Sequence, residues 1–181
     1  MLALFAITVV ITSGCSSTSR PSQVSKTETS GLAGDSGVKR GTSIGNRAPD
    51  FQLARMDGSP ISLADLNGQP SVLVFWTAWC PACKEEAPHI NELASQYEPR
   101  GVRVLGINIQ DSVARTEGGI KEFGIRYAVA RDADASITRR YNVIGTPTII
   151  FLDRNGVVRY TGHELPQDLG PRLDSLLAEK G

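Results

Sequence analysis

The sequence is poor in cysteine, histidine and aromatic residues. Its 181 residues include 3 cysteines and 2 histidines, and aromatic residues make up 6% of the chain. Neither sign of charge is in excess, because 19 Lys and Arg balance 19 Asp and Glu. A chain without a basic field is not expected to bind nucleic acid, and so few cysteines and histidines provide no second ligand pair for zinc. We therefore predict neither a nucleic-acid partner nor a bound metal.

A long hydrophobic run is also missing. The apolar run at 2–11 has ten residues, too few for a transmembrane helix but suited to the central region of a signal peptide. Thr12-Ser13-Gly14 then leads into Cys15, which resembles a bacterial lipoprotein signal whose cysteine is lipidated. The usual aliphatic residue is absent at Thr12 and no Lys or Arg precedes the run, so an ordinary secretory signal or an uncleaved anchor stays open. We predict a signal peptide at 1–14. Each of these three interpretations places the rest of the chain outside the cytoplasm.

Residues 15–43 are rich in Ser, Thr and Gly and contain few apolar side chains. Such a segment cannot bury enough surface to offset its chain entropy. We expect a flexible tether of roughly 30 residues with a root-mean-square span of about 30 Å. A folded domain is predicted at 44–181. A tether behind a lipid anchor would let this domain reach partners near the membrane.

The other two cysteines stand at the junction of a predicted strand and a predicted helix. Residues 72–76 are a continuous apolar run, typical of a strand buried on both faces. Pro81 is favoured at the first position of a helix, so Cys80 is predicted to be the N-cap, with Cys83 one turn further on. The partial positive charge of a helix N-terminus stabilises a thiolate. We expect the pair to cycle between dithiol and disulfide without a cofactor, with the outermost thiol, Cys80, attacking and Cys83 resolving.

Two plainer interpretations of residues 80–83 are a zinc half-site and a structural disulfide. Zinc needs further ligands, but Cys15 is distant and the only histidines are His89 and His163. A c-type haem attachment site needs histidine directly after the second cysteine, where Lys84 stands. The redox interpretation is therefore favoured.

Strand and helix patterns alternate along the rest of the chain, which predicts an α/β fold with a mixed sheet. Extended segments are expected at 48–53, 61–63, 72–76, 102–109, 127–130, 148–152 and 157–160. Helices are expected at 81–97, 112–123, 132–141 and 166–178. Pro88 is expected to kink the first helix, and Gly118-Gly119 to weaken the second. Reactive groups of such sheets lie beyond the carboxyl ends of the strands, where Cys80 falls.

A second motif, which contains a proline, adds evidence on the fold of the chain. Gly-Thr-Pro-Thr at 145–148 follows the cysteines by about 60 residues, and the two motifs together resemble the thioredoxin superfamily. In that superfamily the proline is cis and lies against the active-site disulfide. The resemblance therefore implies a cis peptide bond between Thr146 and Pro147.

Three further segments, 45–51, 63–68 and 75–88, resemble the TlpA/ResA family of membrane-tethered thiol–disulfide oxidoreductases. The resemblance covers 44–180. It implies a thioredoxin-like fold with an N-terminal β-hairpin extension and an inserted β-α unit between residues 102 and 130. The mixed central sheet is expected to be flanked by helices.

The same resemblance implies a role for Glu86. It matches a glutamate that lies beneath the active site of ResA-like proteins and tunes their thiols. Glu86 follows Cys83 by three residues, so the two are neighbours on one helix face. The other residues expected to modulate the site are Trp79, Pro81, Ala82, Thr146 and Pro147.

The function implied by the family is reduction of protein disulfides outside the cytoplasm, for example those of apocytochrome c before haem attachment. The partners would be protein thiols and disulfides, with a membrane thiol carrier as electron donor and a lipid anchor in the membrane. No extra interface helix is evident, so a monomer is expected.

Four alternatives stay open. A peroxiredoxin-like thiol peroxidase shares the fold, but Leu73 stands where the Pro-x-x-x-Thr-x-x-Cys signature has proline. In a Sco-type copper module three residues lie between the two cysteines, whereas only two residues lie between Cys80 and Cys83. A disulfide-donating oxidant is less favoured because the motif lacks the histidine of DsbA-like proteins. A binding domain without catalysis would have no need of both cysteines.

Overall fold

A seven-stranded mixed sheet forms the centre of the computed structural model, which describes residues 39–179. Its strands are β1 (Gln52–Arg55), β2 (Pro60–Ser62), β3 (Ser71–Trp76), β4 (Arg103–Ile109), β5 (Ala128–Asp132), β6 (Thr148–Leu152) and β7 (Val158–Gly162). Their order across the sheet is β2-β1-β5-β4-β3-β6-β7. The predicted signal peptide, the predicted lipidation site Cys15 and the predicted tether up to residue 38 lie outside the described residues.

Four α-helices flank the sheet: α1 (Pro81–Tyr97), α2 (Val113–Phe123), α3 (Ser136–Arg140) and α4 (Leu169–Ala178). Short 3-10 helices occupy Leu63–Leu66 and Glu98–Arg100. The predicted α/β fold, with its N-terminal hairpin and mixed sheet, is confirmed. Within residues 39–179 no helix has the length and apolar character that crossing a membrane requires.

Parallel pairing of three strands creates the edge on which the site lies. Strand β3 pairs in parallel with β4, and β4 pairs in parallel with β5, so their carboxyl ends lie together. Antiparallel β6 begins at this same edge, where Thr148 pairs with Phe75. The turns after β3 and β4 and the turn before β6 therefore meet in space.

Successive side chains of β3 point to opposite faces of the sheet, and each face has its own hydrophobic core. Val72, Val74 and Trp76 pack on one face, against α1 and α4. Leu73 and Phe75 pack on the other. All five side chains are buried, as the uninterrupted apolar run predicted.

Some helix boundaries differ from the sequence prediction. The helix expected at 132–141 is only Ser136–Arg140, because Asp132 is the last residue of β5. The buried Asp132 carboxylate accepts hydrogen bonds from the Thr138 amide at 2.7 Å and the Thr138 hydroxyl at 2.6 Å, so it fixes the start of α3 rather than joining it. The last helix begins at Leu169, three residues later than predicted.

The segment that leads into the domain is bonded to the sheet. Arg47 forms a bridge with Val157, and Gly45 donates its amide to Val158 at 2.8 Å. Residues 39–43, assigned to the tether by sequence, are also paired, since Arg47 donates its amide to Lys39 at 2.8 Å.

Candidate active site

Cys80 and Cys83 form a disulfide at the N-terminus of α1. Cys80 is the N-cap, Pro81 is the first helical residue, and the Cys83 amide donates to Cys80 Sγ at 3.1 Å. This bond places a helix N-terminal amide on the sulfur that would carry the thiolate. The side chains of Pro81 and Ala82 are exposed.

Exposure does not distinguish the two sulfurs. Cys80 was expected to lie outermost, yet each cysteine is 5% exposed in the disulfide. Their surroundings differ instead, because Cys80 lines an open groove whereas Cys83 lines a small internal cavity. An incoming group therefore reaches Cys80 from the groove.

The predicted cis peptide bond between Thr146 and Pro147 is present. Cys80 Sγ lies 3.3 Å from the carbonyl oxygen of Thr146, so this loop forms the opposite wall of the site. Two contacts hold the loop. The Thr148 hydroxyl donates to Gly145 O at 2.7 Å, and His163 Nδ1 lies 2.8 Å from Pro147 O.

The groove beside Cys80 has a volume of about 480 Å³ and no Asp, Glu, Lys, Arg or His in its lining. Trp79 and Ile144 stand at its rim with 68% and 91% of their surfaces exposed. Large apolar side chains this exposed, grouped beside a reactive sulfur, are typical of an interaction surface. Trp79, which we expected to modulate the site, is thus joined at this surface by Ile144, which the sequence prediction did not include.

Glu86 lies beneath the disulfide with only 15% of its side chain exposed. It lines the internal cavity, about 10 Å³ in volume, together with Cys83 and Tyr127. Its Oε1 accepts the Leu165 amide at 3.0 Å, and its Oε2 lies 3.4 Å from Nδ1 of the exposed His89. Burial, and in second place the charge of Glu86, raises the pKa of Tyr127 well above its ordinary range.

The cavity is about as large as one water molecule. Glu86, Cys83 and Tyr127 are the lining residues that bring oxygen or sulfur atoms to it. Glu86 therefore shares a cavity with Cys83, whereas its neighbour Glu85 is exposed.

Sequence reasoning missed one buried carboxylate at the site. Asp111 follows β4, and its Oδ2 accepts the amide of Ala78, two residues before Cys80, at 2.7 Å. The only sequence signal was Asn108, a polar residue within the mostly apolar segment 104–109. Within residues 39–179 no cluster of three or more His, Cys, Asp or Glu side chains could hold a metal ion.

Comparisons with known proteins agree with this geometry. A sequence model of the AhpC/TSA family matches residues 44–161. Thiol-disulfide oxidoreductase ResA of Geobacillus thermodenitrificans is 31% identical over 140 residues, covering 76% of this chain and 80% of that protein.

Two solved structures are also similar. A thiol:disulfide interchange protein of the thioredoxin family from Chlorobium tepidum has a TM-score of 0.63 and 27% identity, covering 73% of this chain and 96% of that one. A secreted Mycobacterium tuberculosis disulfide oxidoreductase, homologous to E. coli DsbE, has a TM-score of 0.59 and 30% identity, covering 71% and 94%.

The fold and the relatives define the class of protein: a thiol–disulfide oxidoreductase built on the thioredoxin fold. The chain belongs to the AhpC/TSA family and is a TlpA/ResA-like member of the thioredoxin superfamily.

Proposed function

We propose that this protein reduces disulfides of other proteins outside the cytoplasm, with Cys80 as the attacking and Cys83 as the resolving thiol. One observation supports this assignment above the others. Cys80 Sγ combines a helix N-terminal amide at 3.1 Å with a position on the apolar groove, so one sulfur is both activated and accessible to a partner.

The reaction balances as two thiol–disulfide exchanges. The Cys80 thiolate attacks one sulfur of the substrate disulfide, forms a mixed disulfide and releases the other sulfur as a thiolate. The Cys83 thiolate then attacks Cys80 Sγ, which forms the Cys80–Cys83 disulfide and releases the second substrate thiolate. Two electrons pass to the substrate, and a dithiol donor must later return them.

Glu86 is proposed to take the proton of Cys83 during the second exchange. Its carboxylate lines the same cavity as Cys83 and is held by the Leu165 amide. A carboxylate that shares a cavity with a thiol is suited to act as its general base, and its charge disfavours a thiolate at Cys83 before attack begins.

The proposed client is apocytochrome c, whose haem-site cysteines must be reduced before haem attachment, and the proposed electron donor is a membrane thiol carrier. Relatives named ResA and a secreted relative support a location outside the cytoplasm. The signal-like sequence ending at Cys15 supports a lipid-anchored, membrane-tethered form.

The first test is the reduction potential of the Cys80–Cys83 pair, measured by equilibration against thiol–disulfide buffers. A potential near about −270 mV or lower is expected for a reductant. A potential near about −120 mV would mean that the protein donates disulfides and would overturn the proposed direction.

The second test traps the client. A Cys83→Ser variant keeps the attacking thiol but cannot resolve, so it should accumulate a mixed disulfide with an oxidised haem-site peptide. The Cys80→Ser variant, which keeps the other thiol, is the matched control and should trap none. Equal trapping by both variants would contradict the assignment of the attacking thiol.

A thiol peroxidase is not favoured by the structure around the cysteines. Leu73, which replaces the signature proline, is fully buried in β3 and pairs with Leu105 and Ile150 on its two neighbouring strands. Consumption of hydrogen peroxide by the reduced protein at a rate matching disulfide reduction would reverse this preference.

A further inference from the structure

The turn at 77–80 carries Cys80 and Trp79, and a side chain from another strand holds it. The Ala78 amide donates to Asp111 Oδ2 at 2.7 Å. Within the described part of the chain, no other side chain binds a backbone group of residues 77–79. The carboxylate of Asp111 is 3% exposed, so this charge-assisted bond is shielded from water.

Asp111 is itself fixed by a buried polar network. Asn108, which is fully buried, donates its side-chain amide to Asp111 Oδ2 at 3.0 Å. Thr116 on α2, also fully buried, donates its hydroxyl to Asn108 Oδ1 at 2.8 Å. Asn108 and the Ala78 amide thus donate to the same oxygen of Asp111, and Thr116 fixes the orientation of Asn108.

The charge of Asp111 is partly balanced. Arg115 Nη1 lies 3.9 Å from Oδ1, the other carboxylate oxygen, and Arg131 donates to the Asp111 backbone carbonyl at 2.7 Å. Arg115, 3.9 Å from the carboxylate, weakens the field of Asp111 at the cysteines, whereas Arg131 binds only its backbone carbonyl. The hydrogen bond to Ala78, rather than the charge, is then the main effect of Asp111 on the site.

We propose that Asp111 is a positioning residue of the redox reaction. By accepting the Ala78 amide it holds the turn at 77–80, and the fixed turn keeps the Cys80 thiol reactive. This inference rests on the proposed role of Cys80 as the attacking thiol. If the turn loosens, the Cys80 thiolate loses its alignment with the Cys83 amide. The thiol form is then favoured, and a smaller fraction of the protein is reactive at neutral pH.

The test is the pH profile of Cys80 alkylation by iodoacetamide in the reduced full-length protein, followed by peptide mass spectrometry so that each thiol is read separately. The other titratable groups near the cysteines stay unchanged: Lys84, Glu85 and Glu86 on α1, Arg115 on α2 and His163 after β7. Asp111→Ala removes both accepted hydrogen bonds. We expect its profile to move up by about one pH unit, which is tenfold in thiolate fraction at neutral pH.

Asp111→Asn keeps an acceptor oxygen but loses the charge, so it should stay near the wild-type profile. Thr116→Val is close to isosteric and removes the hydroxyl that orients Asn108 and also lies 3.0 Å from the Ser112 carbonyl oxygen. Thr116→Val should shift the alkylation profile upward by a smaller amount. If Asp111→Ala does not fold, Thr116→Val tests the proposed role of Asp111 in its place. The matched control is Asp153→Ala, because Asp153 is equally buried and accepts two amides at 2.9 Å in the turn between β6 and β7, away from the cysteines.

Three results would overturn the proposal: no shift in Asp111→Ala or Thr116→Val, a shift shared by Asp111→Asn, or a shift shared by Asp153→Ala. A shift shared by Asp111→Asn would mean that the charge of Asp111 controls the reactivity of Cys80. A shift shared by Asp153→Ala would mean that a general loss of stability causes it. Disulfide reduction by the wild type is measured in the same preparations. A wild type inert toward protein disulfides overturns the proposed function, whereas the alkylation shift concerns Asp111 alone.

Discussion

Leu165 donates its backbone amide to Oε1 of Glu86 at 3.0 Å, across 79 positions of sequence. The segment after β7 thus fixes the carboxylate beneath the disulfide. Two residues earlier, His163 contacts the carbonyl of Pro147 at 2.8 Å. One short segment therefore contacts both the Glu86 carboxylate and the loop that carries the cis proline.

The charge of Glu86 is expected to disfavour the thiolate of Cys83. In a Glu86→Gln variant the pKa of the Cys83 thiol should fall by about one unit, because a like charge is removed. The measurement is thiolate absorbance during pH titration of the reduced protein, in a Cys15→Ser background. Glu85→Gln is the matched control because Glu85 is exposed one position away. Coinciding curves for the two variants would contradict a role for Glu86.

The groove at Trp79 and Ile144 is expected to select protein substrates. Trp79→Ala and Ile144→Ser should each raise KM for a disulfide-containing protein by about tenfold, since burying a large apolar side chain contributes about 1.5–3 kcal/mol. Turnover of a small disulfide should change little. Val113→Ser is the control, because Val113 is 50% exposed but does not line the groove. An equal rise for Val113→Ser would show that the groove has no special part in binding.

The two adjacent glycines of α2 are expected to respond oppositely to alanine. At Gly118 an added Cβ meets open space, so Gly118→Ala should raise the free energy of unfolding by about 1 kcal/mol through helix propensity. At Gly119 the Cβ would lie 2.7 Å from the Ala78 Cβ and 2.9 Å from Trp76 Cζ3. Gly119→Ala should therefore lower the free energy of unfolding by about 1–3 kcal/mol. Urea denaturation of both variants measures the difference, and equal changes would refute the close approach of α2 to the turn.

Stability is expected to fall at alkaline pH because of two buried tyrosines. Burial raises the pKa of Tyr127 and Tyr141 above the ordinary value of 10.0, so the folded protein keeps both protons where the unfolded chain loses them. The stabilising contribution is therefore complete below about pH 10 and is lost as pH rises above it. Urea unfolding from about pH 8 to about pH 11 should show a shallower decline for Tyr127→Phe and Tyr141→Phe. Each variant is compared with its own stability at neutral pH, and declines parallel to wild type would contradict the assignment.

The fold could be predicted largely from local pattern. The uninterrupted apolar run of β3 indicated a strand with both faces covered, and Pro81 placed the helix N-terminus at the cysteines. The glycine pair in α2 was read only as a weakness of the helix. Gly119 in fact allows α2 to approach Ala78 and Trp76. The need for glycine there comes from packing between elements, which helix propensity does not describe.

The parts of the site that were missed come from distant segments. Asp111 reaches Ala78 across 33 positions, and Leu165 reaches Glu86 across 79. No periodicity within a strand or helix encodes such contacts, because they depend on which turns the sheet brings to one edge. Asn108 was the one visible signal, since a polar side chain in a buried strand requires a hydrogen-bonding partner.

The two outer strands of the sheet are protected in different ways. Residues 45–48 bond to the start of β7 and the turn before it, where Val158 donates to Asn46 at 2.9 Å and Ala48 donates to Gly156 at 2.9 Å. At the other margin β2 has only three residues, and one is Pro60, which has no backbone N–H. Unpaired strand margins recruit unfolded chains and seed aggregation. An unfolded chain that enters the neutral groove beside Cys80 is therefore less able to add itself to either margin of the sheet.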